Sequence, residues 1–355
     1  MSNRWTTDRI LVTGALGWLG YRLVQTLIRG LDEHEQLRGA NEHLKIRALL
    51  LPGQDAALLR KISPQIEIIE GDLRDPAASA RLCADAKGAL LFHTAGVIHP
   101  QRVREFYEIN ATGGKNLLEA AESAGVKRAV VVSSNSPCGN NPFPDHLFDE
   151  TSPYRPYRHY GRSKMQLEKA AQEVSARGRL ETVVIRPPWF YGPDQPPRQT
   201  LFFGMIRDGK APIVGGGKNL RSMSYIDNLC QGLQLAALTP AAAGQTYWIA
   251  DRRPYSMNEI VDTVERLLEK EFGQKCAHRR MRLPGLAGEV AGICDAALQG
   301  AGRYHQKIHV LSEMNQTIAC SVARAERELG YLPVVELEEG MRRSLRWCFD
   351  NHIPF

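Results

Sequence analysis

The chain has 355 residues, 43% of them hydrophobic and 24% charged, so a large domain with a subdomain, or two domains, is expected, and a stapled mini-protein or a globally disordered chain is excluded. Forty-five basic against 39 acidic residues leave a formal net charge of +6 that no long basic run concentrates, which argues against a nucleic-acid partner. Seven cysteines, far apart, odd in number and without a CxxC pair, suggest neither a disulfide framework nor a metal site, and fit a reducing, cytoplasmic setting.

The opening MSNRWTTDRI lacks an apolar signal-peptide core, and no run of about 18 uncharged apolar residues occurs, so a soluble, unprocessed chain without a membrane span is expected. Strand-like apolar runs at 9–13, 44–51, 66–70, 89–93, 129–133 and 182–186 alternate with helical periodicity. Such alternation predicts βαβ units and a Rossmann-type, doubly wound parallel sheet of the α/β class. Residues 31–43, rich in Asp, Glu, His, Arg and Asn, read as an exposed insertion without chemistry. Prolines and glycines then interrupt the pattern after Arg186, where substrate-binding loops are expected. Helices follow at 257–272, 286–298, 322–329 and 337–350. The predicted division is a dinucleotide-binding domain over 1–186, to which 223–250 returns, and a smaller, mostly helical substrate region from 187–222 and 251–355. The densest basic spot, His278, Arg279, Arg280 and Arg282, reads as a solvated face.

The first strand ends in Thr13 and runs into Gly14-Ala15-Leu16-Gly17-Trp18-Leu19-Gly20. At a strand-to-helix turn these glycines allow a tight turn at 14, backbone approach to a pyrophosphate at 17 and close helix packing at 20, with the helix N-terminus facing the anion. Asp72, after the third strand, suits either an adenine amino group or the cap of the following helix. The second strand ends in Leu50-Leu51-Pro52-Gly53, with neither the acid that binds the ribose of NAD nor the arginine that holds the extra phosphate of NADP. Arg60 and Lys61 lie several residues on, and the choice between NAD and NADP stays open.

Tyr160-Gly161-Arg162-Ser163-Lys164 places a phenol and an ammonium four residues apart, on one face of a helix. A fixed cation favours the phenolate over its usual titration near pH 10, which suits Tyr160 to general-base work. Ser133-Ser134-Asn135-Ser136 follows the fifth strand at its carboxyl end, where ligands of such sheets bind. Ser134 is the expected clamp on the reacting oxygen, with Ser136 as alternate. Tyr157 and His159 read as surface residues at the helix start, and His93 as a satisfied buried histidine.

These residues resemble the extended short-chain dehydrogenases/reductases, and the likeness runs over nearly the whole chain through His93-Thr94-Ala95-Gly96, NATGGKNLLEAA from Asn110, RPPWFYGP from Arg186, Tyr225-Ile226-Asp227-Asn228 and AERELGYLP from Ala325. The resemblance implies cofactor contacts from Gly14, Gly17, Trp18, Leu19, Gly20, Asp72, Leu73, Thr94, Ala95, Gly96, Asn110, Ser133, Tyr160, Lys164, Pro187 and Trp189. It implies substrate contacts from Ser134, Ser136, Trp189 and Arg221, and a homodimer built from the helices that carry Asn110 and Tyr160.

Departures from the family pattern narrow the activity. Asn135-Ser136 replaces the acid pair of sugar dehydratases. Trp189 stands where many nucleotide-sugar enzymes have asparagine, whereas Arg221 matches their diphosphate-binding arginine. The segment 283–298 resembles the extra helix of 3β-hydroxysteroid dehydrogenase-like members. The expected function is an NAD(P)-dependent oxidoreductase or epimerase on a secondary alcohol or ketone of a nucleotide sugar. The alternatives are an apolar-alcohol dehydrogenase and a non-catalytic NAD(P)-binding sensor, against which the complete Ser134, Tyr160, Lys164 set argues.

Overall fold

The computed structural model describes Trp5 and residues 7–355, so half of the stretch read above for a signal peptide, residues 1–4 and 6, lies outside the described residues. In chain order the strands are β1 (Arg9–Thr13), β2 (Lys45–Leu50), β3 (Glu67–Glu70), β4 (Leu90–His93), β5 (Arg128–Val132), β6 (Glu181–Arg186), β7 (Trp189–Tyr191), β8 (Pro212–Val214), β9 (Leu220–Arg221), β10 (Met223–Tyr225), β11 (Thr246–Trp248), β12 (Tyr255–Ser256) and β13 (Met281–Leu283). Seven of them form one sheet in the order β11-β6-β5-β4-β1-β2-β3, every pair parallel. The six strands expected from the sequence fall within one residue of their predicted ends.

Strand alternation divides the core into two layers. Ile10, Val12, Val130 and Val132 face one side with Leu23 and Leu27 of the helix Trp18–Arg29, while Leu11, Ala129 and Val131 face the other with Leu117 and Leu167. Because both faces are covered, β4 and β5 read as continuous apolar runs rather than alternating ones. The chain order reverses beside β1, which pairs with β2 on one side and β4 on the other, and this opens a crevice at the carboxyl ends of the strands.

The seventh strand had no independent sequence signal. The helix Ile226–Leu238, buried along nearly its whole length, crosses behind the sheet and delivers β11 to the edge beside β6. Arg22 on the first helix grips Asp227 through both carboxylate oxygens, at 2.5 and 2.8 Å. Asn228 bonds Asp251 at 3.1 Å and the Val335 carbonyl at 2.7 Å. The Tyr225 to Asn228 motif is therefore a structural clasp.

Two surface expectations are corrected and a third is narrowed. In the 31–43 segment Leu31, His34, Leu37 and Asn41 are buried, and Gln231 donates to His34 Nδ1 at 2.8 Å, so the segment is wedged against the helix Ile226–Leu238. The basic spot is a solvated face except at Arg280, which is drawn into ion pairs with Glu265 and Asp262 at 2.7 and 2.8 Å, whereas His278, Arg279 and Arg282 stay exposed. Tyr157 and His159 dock other elements. Tyr157 bonds Ser312 at 2.7 Å, His159 bonds the Tyr107 hydroxyl at 2.7 Å, and Arg158 donates to the Gly292 carbonyl at 2.6 Å. Together Tyr157 and Arg158 seat the helical hairpin Leu286–Gly300 and Gln306–Glu313 on the start of the helix Arg158–Ala176. Among the described residues no helix is long and apolar enough to cross a membrane.

Candidate active site

A cavity of about 770 Å³ opens at the carboxyl ends of β1, β4 and β5. Its floor is the turn after β1. Gly14 has φ +74°, and a Cβ there would stand 2.6 Å from the Ala95 nitrogen; a Cβ on Gly20 would stand 2.1 Å from the Gly14 carbonyl oxygen. Those two glycines are required by the fold itself. Gly17 differs: its backbone is extended, and an added Cβ would meet only the Gly14 carbonyl, at 3.1 Å. Gly17 also caps the helix Trp18–Arg29 without a side-chain bond, so first-turn amides are left for an anion at the cavity floor. The turn fits the pyrophosphate of a dinucleotide. Trp18 clasps the loop after β7, its indole donating to the Pro193 carbonyl at 2.6 Å and its ring packing 4.8 Å from Phe190.

The structure brings Tyr160, Lys164, Ser134 and Ser136 to one wall of this cavity. The Ser134 hydroxyl lies 3.3 Å from the Ser136 hydroxyl and lines the cavity with the Tyr160 phenol. Burial pushes Tyr160 up to about 12, with the nearby Ser134 hydroxyl opposing. Lys164 is buried, donates to the Val132 carbonyl at 3.0 Å, and is pushed down by burial to about 8, with Glu168 one turn on opposing. Among the charged neighbours, Glu313 disfavours the phenolate and Arg198 favours it. Ser133 touches the cavity but turns its hydroxyl to Glu168 at 2.5 Å, and Glu168 is held by Arg186 at 2.6 Å and Tyr154 at 2.8 Å.

Thr94, Gly96, Pro187, Trp189, Leu19 and Arg221 also line the cavity. Asp72, Leu73, Ala95 and Asn110 are not among its lining residues. Asp72 sits beyond β3 in an ion pair with Arg74 at 2.6 Å, which holds its carboxyl below the usual range, and the cap of the next helix is Asp75. Asn110, fully buried in a π-helical turn over Phe106–Gly113, bonds the Val97 backbone twice, at 2.8 and 3.0 Å, and Ser163 at 3.2 Å. It shapes the loop after β4. His93 is buried with Nδ1 2.8 Å from Thr13 Oγ1, but its Nε2 has no partner.

The opposite wall carries residues that no motif announced: Arg198 and Gln199 from the first turn of the helix Pro197–Arg207, His99 after β4, and Gln306, His309, Glu313 and Met314 from the hairpin. Arg198 forms no ion pair among the described residues, and lies near the Tyr160 and Tyr304 phenols. Burial, with Arg198 and His309 adding, lowers His99 to about 4, so it is a neutral partner of the Tyr304 hydroxyl at 2.7 Å. Burial opposes a charge on His309, but the Asp295 carboxylate at 2.9 Å outweighs it and holds His309 above the usual histidine range. Arg221 donates Nη2 to the Glu313 carbonyl, while its buried Nε has no partner. Sequence signals for this wall were absent because its side chains come from three separate segments.

A model of the NAD dependent epimerase/dehydratase family matches residues 10–250. The protein y4nL of Sinorhizobium fredii, described as uncharacterized, is 52% identical over 98% of this chain and 96% of its own length. An N-acetyl-alpha-D-glucosaminyl-diphospho-ditrans,octacis-undecaprenol 4-epimerase of Escherichia coli O157:H7 is 26% identical over 96% of each chain. A 3 beta-hydroxysteroid dehydrogenase/Delta 5-->4-isomerase of Mycobacterium tuberculosis is 30% identical over 95% of this chain and 89% of that protein. The fold is shared with the dTDP-glucose 4,6-dehydratase DesIV of Streptomyces venezuelae, solved with NAD and TYD bound, at 24% identity, 97% and 98% coverage and a TM-score of 0.70.

Proposed function

Because the chain belongs to the NAD dependent epimerase/dehydratase family, enzymes of the extended short-chain dehydrogenase/reductase type, we propose that it oxidises or epimerises a secondary alcohol, or reduces the corresponding ketone, on a sugar that carries a diphosphate, with a nucleotide sugar as the first candidate. The observation that carries this reading is the meeting of Ser134, Tyr160 and Lys164 in the one cavity that the glycine turn also lines. A bound NAD(P) supplies the hydride acceptor or donor and, when oxidised, a positive ring. The chain's own residues do the rest. Ser134 holds the substrate oxygen, Tyr160 moves its proton, and Lys164, anchored on the Val132 carbonyl, would supply a positive charge and a donor to the ribose of a bound cofactor. Arg221, with a free Nε, and the unpaired Arg198 face the same space and suit a diphosphate. The cavity offers no acid pair beside Ser134 for eliminating water, so dehydration is not proposed.

A second reading, an apolar-alcohol dehydrogenase, is favoured by one observation: Trp189, packed 5.6 Å from Phe202, presents an aromatic face where an amide would meet phosphate. The relatives with a sugar-diphosphate lipid and with a steroid in their names span both readings. A cytoplasmic homodimer through the helices bearing Asn110 and Tyr160 belongs to the proposal. Light scattering checks the dimer.

Tyr160→Phe tests the chemistry. Turnover is expected to vanish with NAD(P) affinity within about twofold of wild type, and Lys164→Ala to lose both. Residual turnover within about tenfold, only about 1.4 kcal/mol in barrier, removes Tyr160 from the acid/base role.

A further inference from the structure

Six of the thirteen exposed large apolar side chains among the described residues, Leu201, Met205, Leu286, Val290, Ile293 and Val310, sit on the three helices around the cavity. Met205 and Val310 belong to its wall and are 37% and 43% exposed, which places them at the mouth. On the helix Leu286–Gly300 the spacing of Leu286, Val290 and Ile293 sets them on one face, at 66%, 52% and 70% exposure. The opposite face, with Gly288, Ala291, Asp295 and Gln299, is buried. Asp295 is already neutralised by His309 and Arg158, at 2.9 and 3.6 Å, so the helix's only exposed acid is Glu289, which stands beside Leu286 and Ile293 on the same face. The flanks are basic. Arg282, Arg303 and Lys307 are exposed and make no ion pair among the described residues.

We propose that this apolar face, flanked by basic side chains, docks the protein on an anionic lipid bilayer, with the cavity mouth beside it turned toward the membrane. An apolar stripe bounded by Lys and Arg is the pattern of a helix that lies in the interface plane, its apolar side in the acyl boundary and its basic side on anionic headgroups. At 15 residues the helix is about 22 Å long, enough to lie on a bilayer and too short to cross one. A second copy of the chain fits less well. One helix stripe offers a patch of a few hundred Å², whereas a stable interface buries about 800 Å² per partner, and the unpaired basic flanks would repel their own copies. The consequence for function rests on the reading above: a sugar diphosphate or an alcohol borne on a lipid would reach Tyr160 without leaving the membrane surface.

The test is flotation of the full chain with phosphatidylcholine vesicles, with and without phosphatidylglycerol. Wild type is expected to float with the anionic vesicles and to be released by salt. The double variant V290E/I293E is expected to lose at least tenfold in vesicle affinity with its melting temperature and NAD(P) affinity unchanged, and R303E/K307E to lose several-fold. No flotation with anionic vesicles, or equal flotation of V290E/I293E, overturns the proposal. So does light scattering in which V290E/I293E turns an oligomer into a monomer while no form binds vesicles. Flotation with an active-site variant that turns over normally supports the docking face and counts only against the function proposed above.

Discussion

Ser133 and Ser134, neighbours in the chain, turn their hydroxyls to different partners: Ser133 donates to Glu168 at 2.5 Å, and Ser134 pairs with the Ser136 hydroxyl at 3.3 Å in the cavity that Tyr160 lines. The side-chain alternation of a strand, carried one residue past the end of β5, separates a structural hydroxyl from a chemical one. Ser134→Ala is therefore expected to lower turnover about 10²- to 10³-fold, as for loss of one donor to a reacting oxygen, with stability nearly unchanged. Ser133→Ala is expected to keep turnover within a few-fold and to cost about 1 to 3 kcal/mol, because it strips a bond from the buried Glu168. Steady-state kinetics and urea unfolding of both variants check the pair, and an exchange of the two phenotypes contradicts the assignment.

The three glycines of the turn after β1 separate in the same way. Since an added Cβ at Gly17 meets only one carbonyl at 3.1 Å, Gly17→Val is expected to fold and yet exclude the pyrophosphate. Calorimetric titration should show NAD(P) binding lost while the melting temperature stays near wild type. Gly20→Ala, whose Cβ would stand 2.1 Å from the Gly14 carbonyl oxygen, should unfold at a lower temperature. Unchanged NAD(P) affinity in Gly17→Val would mean that the turn is only a turn.

Lys164 carries a pH signature. Its folded-state pKa of about 8 lies below the ordinary 10.5, so between those values the unfolded chain binds the extra proton and stability rises with pH. At pH 7 the ammonium is charged in both states and the cost of burying it is fully present. Lys164→Met removes the titration. Between pH 7 and 10 wild type is expected to gain about 2 to 3 kcal/mol relative to Lys164→Met, measured by urea unfolding without cofactor. Parallel pH profiles would place the ammonium in water.

Arg221 separates the substrate classes. Loss of a charge-assisted bond to phosphate costs about 1.5 to 3 kcal/mol, so Arg221→Ala should bind UDP or a UDP-sugar, or another nucleoside diphosphate, at least tenfold more weakly, with NAD(P) affinity within about twofold. Thermal shifts with nucleoside diphosphates and with sterols make the comparison, since ligand at one hundred times its Kd stabilises by about 2.7 kcal/mol. A shift with a sterol and none with any nucleoside diphosphate promotes the apolar-alcohol reading.

Local spacing was enough, without coordinates, to find six strands, the glycine turn and the Tyr160 to Lys164 pair, because each is written within a few residues: alternation along a strand, three glycines in one turn, four residues along one helix face. What only the structure decided is the choice of side-chain partners, some of them near in the chain and most of them distant. Asp72 could have been a cap or a ligand, and the structure pairs it with Arg74 while Asp75 takes the cap. Asn110 was read as a cofactor residue, yet the π-helical turn aims it at the Val97 backbone. Arg198, His309 and Glu313 meet Tyr160 across one cavity from positions up to 153 residues away along the chain. No periodicity encodes such a meeting, since it is set by how the hairpin packs on the start of the helix Arg158–Ala176 through Tyr157 and Arg158. The apolar stripe at Leu286, Val290 and Ile293 shows the limit most plainly: in sequence it is a helix with a core-like face, and only the packing of its other face against the protein leaves that face to the solvent.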